Sequence, residues 1–153
     1  MAIHLIHAEI EIDTSAEKVW AVLTDFASYP QWNPLIRSLS GVPQRVARIQ
    51  ITVQPTGGRV MRFSPVILAA QAGRELRWRG HLLLPWVLAG EHSFVIEPLG
   101  ERRVRFQQSE WYSGVLVRLL RSSLDRDAHR GFEEMNQALK LRSESGDSTE
   151  GAR

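Results

Sequence analysis

The chain has 153 residues, the length of one domain, with a net charge of +2 and no cysteine. The lack of thiols excludes thiolate catalysis, thiolate zinc sites and a disulfide framework, and a chain this long buries roughly 70% of its unfolded surface without a staple. Seventeen of the basic residues are arginine and two are lysine, both signs are interspersed outside Arg102, Arg103 and Arg105, and no long basic stripe with stacking aromatics occurs, so nucleic acid is not an expected partner.

The opening MAIHLIHAEIEIDTS has neither a basic leader nor a long apolar run. It does not read as a signal peptide, and a cytoplasmic address is expected. Ile6, Ala8, Ile10 and Ile12 alternate with His7, Glu9 and Glu11, which predicts a half-buried strand over 3–12. Thr14 or Ser15 can cap a helix starting at Glu17 or Lys18 and carrying Val19, Trp20, Val22, Leu23 and Phe26. YPQWNP follows at 29–34. Pro30 suits a first helical turn, so a second short helix is expected from Tyr29 to about Leu35. Its Tyr29 and Trp32 share a face, and Asn33 can bond nearby backbone. Strands are then expected at 36–41, 47–54, 59–71, 75–82, 91–97 and 103–111, separated by turns such as PTGG at 55–58.

Leu83–Gly90 reads as an apolar connection containing Trp86, with three candidate roles beyond simple packing on its own sheet: a lid, a dimer contact or a membrane-surface touch. At about half of a membrane span, its apolar run predicts no stable membrane insertion. Ser113-Gly114 ends the last strand. One helix, about 40 Å long, is expected from Val115 to about Arg142, with Leu116, Leu120, Leu124, Ala128, Gly131, Met135, Ala138 and Leu139 as its stripe. The domain therefore spans 1–142, and the polar 143–153 reads as a disordered tail. One strand, two short helices, six strands and a long helix make an α+β arrangement.

The string IDTSAEKVWAVLTDFASYPQWNPLIRSLSG resembles the N-terminal signature of the START-like, or SRPBCC, superfamily, closest to its polyketide cyclase/dehydrase-like bacterial branch. The resemblance continues through GRELRWRG at 73–80, GEHSFVIEP at 90–98, QSEWYSG at 108–114 and GFEEMNQALK at 131–140. It implies a helix-grip fold: a curved seven-stranded antiparallel sheet wraps the C-terminal helix, and the short helices plug one end. It also implies a cavity between sheet and helix for lipid, polyketide or aromatic molecules. Relatives include enzymes and carriers, so fold alone does not choose between them.

On that reading Phe63, Trp78, Phe94, Phe106 and Met135 would wall the cavity, joined by Leu120 and Leu124, with Gly80 and Gly131 leaving room. His92, Gln108, Glu110 and Tyr112 alternate on neighbouring strands with these apolar residues and would form its polar group. Glu110 or His92 is the candidate general acid or base. Glu110 could instead fasten the structure by accepting a hydrogen bond from Trp20, Trp32 or a backbone amide. His4 and His7 face opposite ways on a strand, and His129 and Glu133 lack an evident third ligand, so no metal is expected. No P-loop, dinucleotide fingerprint or GxSxG elbow occurs, and no cofactor is expected. The expected partner is a hydrophobic small molecule, bound by a monomer or homodimer. A cyclase or dehydratase is the enzymatic alternative; a lipid-transfer or interaction module is the other.

Overall fold

The computed structural model describes residues 3–146. It is an α+β fold in which a long C-terminal helix packs on antiparallel sheet. β1 (Ile3–Ile12) buries Ile6, Ala8 and Ile12, as its alternation requires. α1 (Ala16–Thr24) begins at Ser15, whose hydroxyl accepts the Lys18 N–H at 3.2 Å. A single 3₁₀ turn (Phe26–Ser28) leads into α2 (Tyr29–Trp32), with Pro30 in its first turn. α2 stops before Leu35 because Asn33 intervenes. Its side-chain oxygen accepts the N–H groups of Leu35 and Ile36 at 2.9 and 2.8 Å and turns the chain toward β2.

The strands that follow are β2 (Ile36–Ser40), β3 (Gln50–Val53), β4 (Met61–Phe63), β5 (Val66–Gln71), β6 (Glu75–Leu82), β7 (Leu88–Gly100) and β8 (Arg103–Ser113). They form a five-stranded sheet, β1-β8-β7-β6-β5, and a three-stranded sheet, β2-β3-β4, instead of one seven-stranded sheet. The run expected as a single strand over 59–71 breaks at Ser64-Pro65, because Pro65 has no N–H to give to a ladder. Before the break β4 pairs with β3, and after it β5 pairs with β6. The sheets stay joined on one side, where Ile49 N–H donates to Pro65 O and Ile67 N–H to Ala47 O, both at 2.9 Å. On the other side they part. The β5–β6 ladder ends at Val66–Arg79, so Gly80–Leu82 and β4 present unpaired edges.

The single C-terminal helix expected over 115–142 is α3 (Val117–Ser123), a π turn (Leu124–Ala128) and α4 (His129–Ser145). His4 Nε2 contacts Asp125 Oδ1 at 2.5 Å and pins the π turn to β1. α4 buries Gly131, Phe132, Met135, Asn136, Leu139 and Ser143, a helical repeat that continues one turn past the expected end. The start of the polar tail at 143 is therefore corrected: Ser143 is fully buried and Glu144 accepts the Asp13 N–H at 2.8 Å. The rest of that tail, 147–153, lies outside the described residues. Among the described residues no helix is long and apolar enough to cross a membrane.

Candidate functional site

A cavity of about 320 Å³ lies between the sheets and the α3–α4 segment. Its walls are apolar: Ile51, Val53, Met61 and Phe63 from the small sheet, Pro65 from the break after it, Trp78, Leu82 and Leu88 from the large sheet, and Leu120, Leu124 and Phe132 from the helices. The volume is about twice that of an engineered ~150 Å³ cavity that takes one benzene, so it has room for about two fused rings.

Polar groups gather at one place on this wall. β7 and β8 pair in a register that sets His92 against Glu110 and Phe94 against Gln108. His92 Nδ1 lies 3.1 Å from Glu110 Oε2, and Tyr112 O–H donates to the same oxygen at 2.9 Å. His92 Nε2 lies 3.0 Å from Gln108 Oε1. The Gln108 amide is oriented from α4: its Nε2 donates to Asn136 Oδ1 at 2.6 Å and to the Phe132 carbonyl, which can only accept. Gln108 Oε1 faces His92 Nε2. The contact between His92 Nδ1 and Glu110 Oε2 requires a proton between the two atoms, carried on the imidazole or on the carboxyl. Burial, reinforced by the Glu110 charge and hydrogen bond, pushes the Tyr112 phenol well above its ordinary range, so Tyr112 stays a donor. The result is a proton-holding group open to an apolar cavity.

Gly90 makes this placement possible. A Cβ there would lie 2.4 Å from Glu110 Oε1. Gly80 also lines the cavity, but Gly131 does not open space in it: Leu35 fills the room beside that glycine, 2.8 Å from where a Cβ would stand.

Phe63, Trp78, His92, Glu110, Tyr112, Leu120 and Leu124 come together on the cavity wall. Phe94, Phe106, Gln108 and Met135 do not line it; all four are fully buried. They point inward as their spacing requires, but α4 fills that half of the interior, and Gln108 acts through His92. Glu110 bonds neither Trp20 nor Trp32, and the Trp32 indole N–H has no partner among the described residues. Alternation and helical spacing do not single out Asn136 or Gly90. Asn136 carried a usable signal, a polar residue four positions after Phe132 on the buried helical face.

The mouth lies between the β3–β4 turn and the π turn, with Gly58, Arg59 and Met61 facing Ser123 and Asp127. Thr56 O–H donates to Glu134 Oε2 at 2.7 Å and clasps the turn to α4, while Arg130 Nε holds the other oxygen at 3.0 Å. The Thr56 hydrogen bond, with help from Arg130, holds the Glu134 carboxyl below its ordinary range. The apolar connection does not fold onto its sheet: Leu83, Leu84 and Trp86 are exposed, as are Val115 and Leu119. Trp86 O accepts the Val115 N–H at 3.0 Å, which ties this loop to the start of α3. His129 and Glu133 lie 3.6 Å apart, and among the described residues no group of three His, Cys, Asp or Glu could hold a metal.

A family profile described as "Polyketide cyclase / dehydrase and lipid transport" matches residues 4–144, and the chain belongs to that family. No curated protein matches the sequence. Solved structures with the same fold include the Zhui aromatase/cyclase from a Streptomyces species, with a TM-score of 0.76, 14% identity and 94% of each chain covered. A START superfamily protein from Mycobacterium smegmatis gives a TM-score of 0.68 at 22% identity, covering 93% of this chain and 98% of that one. A point mutant of norcoclaurine synthase from Thalictrum flavum, in complex with a transition-state analogue, gives 0.73 at 13% identity, covering 95% and 97%.

Proposed function

We propose that the chain binds an apolar or aromatic small molecule of about two fused rings in the cavity between its sheets and C-terminal helix. The supporting observation is the combination of a 320 Å³ apolar space with one polar cluster, Glu110, Tyr112 and His92, on its wall. Apolar walls supply most of the affinity, and a few placed polar groups orient the guest. Calorimetric titration with 1-naphthol tests this. Binding is expected for the native chain and is expected to be lost in Leu120→Trp, which fills the cavity from half-buried α3 with little change in Tm. No binding by the native chain, or equal binding by that variant, would refute it.

A second reading has its own support. The proton held at the His92–Glu110 contact can be delivered to a bound guest or taken from it, as a cyclase or dehydratase acting on a polyketide-like substrate requires. The family's description and the aromatase/cyclase fold likeness favour that substrate class over others. In this reading Glu110 is the acid or base, His92 shares its proton, and Gln108 and Asn136 position His92. Glu110→Gln is then expected to lower turnover of a polyketide substrate by about 10²–10⁴-fold while 1-naphthol affinity holds. A variant that loses only thermal stability would reduce the cluster to a structural fastening.

A further inference from the structure

Where the two sheets part, β4 and Gly80–Leu82 of β6 leave a seam with no ladder across it. Inside the seam lies the cavity. Outside it lies a separate cup of about 260 Å³ lined by Arg48, Gln50, Arg62, Phe63, Ser64, His81 and Leu83. Phe63 and His81 line both spaces, so the two adjoin across the seam. The outer cup contains two guanidinium groups and an imidazole but no carboxylate. Arg48 is held in place, donating to the Ser64 carbonyl at 2.7 Å, and Ser64 O–H is turned to Gln50 at 2.7 Å. The Arg62 guanidinium makes no hydrogen bond or ion pair with another described residue. Leu83, on the rim, holds a left-handed backbone at φ 65°, a conformation that costs a leucine free energy and persists only where its surroundings impose it.

We propose that the seam is a second opening of the cavity, and that the cup takes the anionic head group, a phosphate or carboxylate, of an amphiphile whose apolar part lies inside. Arg62 is the principal ligand, because a planar guanidinium with no internal partner matches the oxygens of such an anion. Arg48 supplies a second positive charge, and His81 a further ring nitrogen. The other opening is a poorer exit for an anion, since the Asp127 carboxylate lines it. This inference rests on the cavity accepting an apolar guest, and it adds which end of the guest is charged and where that end emerges.

The test is calorimetric titration of the full chain with decanol, kept below its solubility limit, and with decyl phosphate, kept below its micellar concentration. Decyl phosphate is expected to bind at least about tenfold tighter, the scale of one charge-assisted contact. Arg62→Gln removes that advantage and leaves decanol affinity unchanged, Arg59→Gln keeps it, and added inorganic phosphate weakens decyl phosphate alone. Equal affinity for the two probes, or loss of the advantage in Arg59→Gln but not in Arg62→Gln, overturns the proposal. Failure of decanol itself to bind would overturn the cavity reading, and this inference with it.

Discussion

At the scale of single residues, the buried polar side chains are the most consequential. Tyr29 is fully buried and donates to the Leu23 carbonyl at 2.6 Å. Burial first, and Asp25 second, push its phenol far above the ordinary value of 10.0, and Tyr112 is raised as well. These are the chain's two tyrosines. Because both folded values exceed the unfolded one, the native state retains protons that the unfolded chain releases above about pH 10. Stability is then expected to be intact below pH 10 and to fall as pH rises past it. Tyrosinate absorbance should appear together with loss of circular dichroism, in one step. A tyrosinate signal near pH 10 with native dichroism would contradict this. Gly90→Ala is expected to cost about 1–3 kcal/mol in denaturant unfolding, because the new methyl displaces the Glu110 carboxylate from His92 and Tyr112. An unchanged midpoint would mean that the carboxylate has another place to go.

At the scale of elements, two irregularities shape the cavity. The π turn places Leu124, Asp127 and Ala128 on its wall. π turns arise as one-residue expansions of an α-helix, so deleting Arg126 is expected to restore a regular helix and rotate α3 relative to α4. Far-UV dichroism should be preserved while 1-naphthol affinity is lost; retained affinity would show that α3 contributes no wall. The β3–β4 turn is the second. Thr56→Val is expected to raise the Glu134 pKa toward the ordinary carboxylate value, because its largest lowering cause is removed. In the native chain the contribution of this clasp is present above about pH 4.5 and fades as pH falls through the lowered folded value. NMR titration of the Glu134 carboxyl in both proteins checks the shift, and identical titrations would remove the clasp from consideration.

At the scale of the whole molecule, the pattern of layers was legible in the sequence, and its breaks were not. Period-two alternation in β1, β6, β7 and β8 identified their inward faces, and Ser15 and Pro30 marked the helix starts. The split of the sheet was hidden because Met61, Phe63, Pro65 and Ile67 keep their alternation straight through the proline. Hydrophobic spacing registers the side a residue faces, and a missing N–H leaves that spacing unchanged. The π turn escaped for a similar reason, since one extra residue alters a helical stripe by less than the stripe's own width. The same limit governed the site. Phe94 and Phe106 share a face with His92 and Glu110, yet alternation does not say where along a strand α4 begins to fill the interior. One feature of this arrangement has a practical value. Of the chain's five tryptophans, Trp78 is the one on the cavity wall, 5.6 Å from the His92 ring and sealed from solvent. The molecule therefore contains its own optical reporter: a guest entering the cavity changes the emission of one indole, and substituting the other four makes that signal readable without a label.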